Sequence, residues 1–165
     1  MEFFIWLEET AASVWVRETP SIWGFPFILF LHTLGLALIA GLSSAIALAH
    51  LYWSGQLQHV RLKRVFDLIW IGLAINALSG LALLIAYPAK AMTNPVFYIK
   101  LVAIVIAVII VQRFQRSFTS DGSGAGTPTR VTAWSLLGLW CIAILTGRLL
   151  AYTHSILMAG ITGFY

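Results

Sequence analysis

An all-α fold, an integral membrane bundle of four transmembrane helices preceded by an amphipathic interfacial N-terminal helix, follows from three observations. The chain of 165 residues is 60% hydrophobic and only 10% charged, whereas soluble domains carry about a quarter charged residues. Its apolar residues fall into four long runs, at about 22–53, 65–87, 96–113 and 131–158, and a helix that crosses a bilayer needs roughly 20 such residues. Its basic residues are gathered rather than scattered. Arg61, Lys63 and Arg64 follow the first run, and Arg113, Arg116 and Arg130 bracket the link between the third and fourth. Residues 20–165 are thereby used up by the bundle, with no room for a soluble domain. The net charge of +4 speaks of membrane topology and not of nucleic acid.

Each element has its own justification. Residues 1–19 hold Glu2, Glu8, Glu9 and Glu18, four of the six acidic residues. Two of these interrupt the stretch that a secretory signal would keep apolar. Phe3, Leu7, Ala11 and Val14 recur at helical spacing, which predicts an amphipathic helix lying along the outer surface and bracing the bundle. The first span enters through Thr19-Pro20-Ser21, with Pro26 near its start, where proline is tolerated. It runs through His32 to Trp53, longer than about 30 Å of hydrocarbon requires, so it tilts or protrudes. The second ends at Tyr87-Pro88, because proline disfavours helix in the residue before it. A short loop, Pro88 to Asn94, then makes the second and third spans antiparallel neighbours.

The stretch from Ser117 to Thr129 contains Asp-Gly-Ser-Gly-Ala-Gly-Thr-Pro, the composition of a flexible link. It and the link after the first span lie on one side of a four-span bundle. The positive-inside rule makes that side the cytoplasm and puts both termini outside. In the second span Gly72, Asn76 and Gly80 are four apart, a stripe along which another helix can approach closely while the Asn amide hydrogen-bonds across the contact. Cys141 is the only cysteine, so no intramolecular disulfide, thiolate cluster or redox pair is available.

Function is to be sought among ionisable groups inside the spans, each costing about 2.5–3.5 kcal/mol at a helix centre on the insertion scale. His32, Lys100 and Arg148 all fall in the outer half, with no acidic residue of the spans at their level to balance them. A bundle cannot hold such cations dry, so the site needs an anion, water, carbonyl oxygens or a neutral lysine. The bland alternative is that Lys100 snorkels, Arg148 bonds to helix carbonyls and His32 makes one interhelical hydrogen bond. A bis-histidine haem requires imidazoles on two helices at matching depth. Only His32 with His154 meets that condition, Gly35 and Gly147 leaving space beside them and Arg148 or Lys100 holding propionates. Arg148 and His154 lie six residues apart, about 120° around a helix, so the two face different directions. No serine in the spans has a base and orienting partner at defined spacing, and no zinc-binding or phosphate-loop motif is present. Catalytic and metal-ligating residues are therefore not assigned, and an enzyme is the least supported class.

Three strings carry a resemblance: Leu31-His32-Thr33-Leu34-Gly35-Leu36-Ala37, Asn94-Pro95-Val96-Phe97-Tyr98-Ile99-Lys100 with the Ala86-to-Thr93 stretch before it, and Gly147-Arg148-Leu149-Leu150-Ala151-Tyr152. From about Ser21 to Tyr152 the chain resembles an uncharacterised family of small four-helix inner-membrane proteins of bacteria, a domain of unknown function. The resemblance implies four spans in a bacterial inner membrane and a histidine, lysine and arginine corresponding to His32, Lys100 and Arg148. It implies no activity, and no histidine at the place of His154. The chain departs from the family's Asp-Leu-Arg after the first span's glycine, reading Ala49-His50-Leu51-Tyr52-Trp53.

The expectation is a cationic pocket in the outer half, built by His32, Asn76, Lys100, Arg148 and Tyr152. It would bind a haem b, a quinone or another anionic or polar ligand in a non-catalytic membrane subunit of a redox or metal-handling assembly. The alternatives are a small anion or proton-coupled transporter and a purely structural anchor or assembly factor. The expected partners are the lipid bilayer and a membrane or periplasmic subunit or a second copy of the chain.

Overall fold

A computed structural model of the chain describes residues 10–18, 21–52, 59–119 and 128–162, the side chains of 11–12, 17–18, 59–61, 89–90, 119 and 151–162 excepted. It is helical throughout these segments and has no strand among them. Helix α1 is Ala11–Glu18. The first long helix comprises α2 (Phe25–Leu36), a π-helical segment Ala37–Gly41, and α3 (Leu42–Tyr52). Then come α4 (His59–Ala86), the single-turn α5 (Pro88–Met92), α6 (Pro95–Thr119) and α7 (Arg130–Thr162). Four stretches are long and apolar enough to cross a membrane: Phe25–Tyr52, Leu62–Ala86, Pro95–Phe118 and Arg130–Leu150.

The pattern of exposure agrees with such a setting. Leu78 is 70% exposed, Leu145 62% and Val102 58%, while Trp140, Phe66, Phe114 and Leu136 are buried almost completely. Apolar side chains thus cover both the inside and the outside of the bundle, which water does not tolerate over contiguous patches of this extent and hydrocarbon does. The helices run beyond the apolar runs seen in sequence, α4 starting at His59 and α6 reaching Thr119. The added turns carry exposed Lys63, Arg64 and Arg116, because a helix needs no further apolar residues once its side chains reach polar surroundings.

The four spans are not packed uniformly. Helix α2 lies along α4, α6 lies along α7, and the far half of the first span, α3, crosses to α7. At that far end, here the basic end, the core closes: Ile46, Ala47, Leu51, Phe66, Ile69, Ile110, Phe114, Leu136 and Trp140 form one apolar cluster. Phe118 meets Phe66 and Phe114 with ring centroids 6.5 and 6.3 Å apart. His50 sets its ring edge-on to Phe114 at 5.5 Å and holds the Pro128 carbonyl through Nε2 at 2.8 Å, tying the first span to the entry of α7. Trp70 Nε1 donates to Gln115 Oε1 at 2.8 Å, between α4 and α6.

At the opposite end the α2/α4 and α6/α7 pairs diverge. What joins α2 to α4 is backbone against backbone: a Cβ on Gly35 would lie 2.6 Å from the Asn76 nitrogen and 2.8 Å from the Gly72 oxygen, and one on Gly72 would lie 2.6 Å from Leu38 Cβ. The Gly72, Asn76, Gly80 stripe therefore faces the first span. Asn76 does not bridge through its amide as expected, for its Oδ1 is buried without a hydrogen-bond partner among the described residues. The π-helical segment follows directly on this contact, a second break in a span where Pro26 alone signalled one. Nothing in Ala37-Leu38-Ile39-Ala40-Gly41 marks such a bulge locally.

Helix starts follow the local chemistry. Asn94 Oδ1 accepts the Val96 N–H at 3.0 Å, capping α6 ahead of Pro95 at its first position, and Thr129 Oγ1 accepts the Thr132 N–H at 3.3 Å for α7, both standard N-cap geometry. Pro26 sits in the first turn of α2. The loop expected between Pro88 and Asn94 winds into one helical turn, α5. Helix α1 packs against α4 at its pocket end, where buried Ser13 donates to the Ala86 carbonyl at 3.4 Å. Among its described side chains Ser13 and Val16 are the buried ones, while the side chain of Ala11 lies outside the described residues. Val14 is half-buried, Phe3 and Leu7 lie outside the described residues, and the small Ser13 lets the two backbones approach.

Candidate functional site

The divergence of the helix pairs leaves a cavity of about 250 Å³. Its walls come from every span: Phe25, Leu29 and His32 from α2, Gly80, Leu83, Leu84 and Tyr87 from the end of α4, Phe97 and Lys100 from α6, and Gly147 and Leu150 from α7, with Ala91 of α5 at the mouth. His32, Gly80 and Lys100 stand seven, six and five residues from the ends of their helices, about 7–11 Å inward at 1.5 Å per residue, so they share one level. The surroundings are aromatic and aliphatic. Among the described residues, the polar side chains that line the cavity are His32, Lys100 and Tyr87.

His32 is held by the second span. Its Nδ1 lies 3.1 Å from the Asn76 carbonyl oxygen and 3.2 Å from Ser79 Oγ. Ser79 donates its own hydroxyl proton to the Ile75 carbonyl at 2.6 Å, which leaves an oxygen lone pair for the imidazole. Both neighbours of Nδ1 are thus acceptors, and Nδ1 carries the proton and donates. The neutral ring then presents an unprotonated Nε2, for which no hydrogen-bond partner exists among the described residues. Gly80 makes room for the ring, since a Cβ there would approach His32 Cε1 to 3.1 Å and Nδ1 to 3.4 Å. Gly80→Ala is accordingly expected to tilt the imidazole and lengthen its bond to Asn76 with little loss of fold. A downfield shift of the Nδ1 proton resonance that is present in wild type and lost or moved in the variant checks this.

Lys100 is half-buried and lies across Gly147, whose would-be Cβ is 3.7 Å from both Cε and Nζ. Among the described residues it forms no salt bridge, and no acidic side chain lines the cavity. Among the described residues the ammonium therefore has no counter-charge beside its apolar walls, an arrangement that costs free energy unless something neutralises it.

Of the residues expected from sequence, His32 and Lys100 meet in this cavity. Asn76 stands behind His32 and contributes its backbone carbonyl; its side chain does not line the space. Arg148 is exposed on α7 and is not part of the wall, its neighbour Gly147 taking that place. The side chains of Tyr152 and His154 lie outside the described residues. Ser79 and Gly80, together with Phe25, Tyr87 and Phe97, were not singled out for the site. The cue was the stripe itself, because Ser79 follows Asn76 by three positions and shares its face.

The haem expectation fits these walls poorly. Space beside Gly35 is filled by the backbone of α4 and space beside Gly147 by Lys100. Arg148 is exposed and does not line the cavity, which at about 250 Å³ is smaller than the roughly 300–1,000 Å³ common for ligand pockets. Comparison of the chain with protein-family models, curated proteins and solved structures found no match.

Proposed function

We propose that this chain is a non-catalytic membrane subunit whose pocket holds the polar head of an amphiphile, a quinone or another ligand with anionic or carbonyl oxygens, within a redox or metal-handling assembly. The observation that carries this reading is that Lys100, with no acidic partner among the described residues, shares an apolar, aromatic-walled cavity with His32, whose Nε2 has no hydrogen-bond partner among them. The ammonium supplies charge-assisted hydrogen bonds to an oxygen, and Phe25, Tyr87 and Phe97 supply flat apolar surface. The positive-inside pattern puts the basic end in the cytoplasm, so the cavity belongs to the outer, periplasmic half of a bacterial inner membrane, the setting the family resemblance implies.

A thermal-shift titration of the purified protein tests this. Short-tailed quinones or carboxylate amphiphiles at 100 times their dissociation constant are expected to stabilise the wild type by about 2.7 kcal/mol, and an apolar tail without a polar head is expected to do nothing. Equal responses to headed and headless amphiphiles would refute the reading. An absorption spectrum of the same preparation, oxidised and reduced, is expected to lack Soret and alpha bands.

A second reading, transport of a small anion or proton-coupled solute, gains support from the π-helical segment Ala37–Gly41, because broken helices near mid-membrane accompany binding sites in transporters. Against it stands the closed apolar cluster around Phe66, Phe114 and Trp140 beneath the cavity. Anion flux above background in liposomes, abolished by Lys100→Met, would decide for transport.

A further inference from the structure

The donor and acceptor arrangement of the cavity narrows the ligand beyond a polar head of any kind. We infer that the site takes a hydroxylated aromatic head group, a phenol or hydroquinone bearing an apolar tail, with its hydroxyl on His32 Nε2 and its ring between the aromatic walls; this rests on the pocket reading proposed above.

The inference starts from the imidazole's hydrogen-bond partners. With the Asn76 carbonyl at 3.1 Å and Ser79 Oγ at 3.2 Å both accepting from Nδ1–H, Nε2 is an acceptor. A ligand carrying only acceptors, such as a carboxylate or a quinone without hydroxyls, satisfies Lys100 and leaves Nε2 with nothing to receive. A ligand carrying only donors satisfies Nε2 and leaves Lys100 unmatched. A hydroxyl oxygen serves both, since its O–H donates to Nε2 and its lone pairs accept from Nζ. An aliphatic alcohol would do this too, but the walls are Phe25, Tyr87 and Phe97 among leucines, which favour a flat ring through edge and face contacts. The apolar surroundings and the membrane location accept a hydrocarbon tail without further polar partners.

The same geometry allows one chemical step. The ligand's O–H bond breaks as an N–H bond forms at Nε2, the electron pair staying on oxygen as a phenolate. The imidazolium so formed remains hydrogen-bonded through Nδ1 to Asn76 and Ser79, and the phenolate charge faces Lys100. Neither oxidant nor reductant is involved. Besides His32 and Lys100, the titratable group lining the cavity is Tyr87, whose ring meets Phe25 edge-on at 6.1 Å.

The test uses the full chain in detergent and two probes, a tailed nitrophenol, whose phenolate absorbs in the visible, and its O-methyl ether. The phenol is expected to bind wild type at least tenfold more tightly than the ether and to develop its phenolate band at a pH where the free probe is mostly neutral. His32→Leu is expected to abolish both the preference and the band. Lys100→Met is expected to retain the preference and lose the band, and because it keeps the stem on Gly147 it serves if His32→Leu fails to fold. Equal binding of phenol and ether, with no phenolate band, overturns the inference while leaving the pocket reading in place. Binding of neither probe, nor of any headed amphiphile, overturns both.

Discussion

Gly35→Ala is expected to cost the folded bundle about 3 kcal/mol and to abolish ligand binding with it. The added methyl would lie 2.6, 2.8 and 2.9 Å from the nitrogen of Asn76, the oxygen of Gly72 and the Cα of Asn76. All three are backbone atoms of α4, so no side chain can swing away and the two helices must separate. Overpacking of this kind costs about 1–3 kcal/mol and at times more. Separation also withdraws the Asn76 carbonyl from His32, so the imidazole loses the bond that fixes its tautomer. The control is Gly138→Ala, where a Cβ meets nothing within 4 Å and the gain in helix propensity, up to about 1 kcal/mol, is unopposed. Unfolding in graded denaturing detergent reads both. A Gly35→Ala protein as stable as wild type would show that the α2/α4 contact is looser than described.

Lys100→Met has the opposite effect on the fold and the larger effect on binding. Methionine keeps an unbranched stem against Gly147, where contacts of 3.7 Å leave ordinary room, and removes an ammonium that no acidic side chain lining the cavity offsets. Taking a charge out of a span relieves a cost of about 2.5–3.5 kcal/mol at the helix centre; Lys100 sits nearer an end, so about 1 kcal/mol of added stability is expected. Binding should fall by roughly one to two orders of magnitude, because a hydrogen bond to a charged group contributes about 1.5–3 kcal/mol. Higher stability with lower affinity is the mark of a residue kept for its ligand at the expense of the fold. Were Lys100 only a snorkelling side chain, the substitution would leave binding unchanged.

How much of this could be read from the sequence differs with the kind of interaction. The four spans and the helix ahead of them were legible because apolar runs and proline positions act locally. His32 and Lys100 were legible because a charge in hydrocarbon is conspicuous wherever its helix packs. Arg148 was equally conspicuous, yet it is exposed and Gly147 lines the cavity, since which of two adjacent residues faces inward depends on the rotation of α7 against α6. The place of Asn76 was hidden for a related reason: composition shows a side-chain amide, while the group that meets His32 is the backbone carbonyl beside Ser79. The π-helical segment leaves no trace in Ala37–Gly41, which follow directly on the close backbone contact at Gly35 and Gly72.

Native mass spectrometry of the protein released from detergent, run on wild type and Lys100→Met, tests the central claim most directly, that a polar-headed ligand compensates Lys100. Wild type is expected to carry a substoichiometric to stoichiometric adduct of one small lipophilic molecule with an oxygen-bearing head, and Lys100→Met to fly without it. Identical spectra for the two proteins, either both bare after supplementation with quinols and carboxylate amphiphiles or both carrying the same bulk phospholipids, would contradict it.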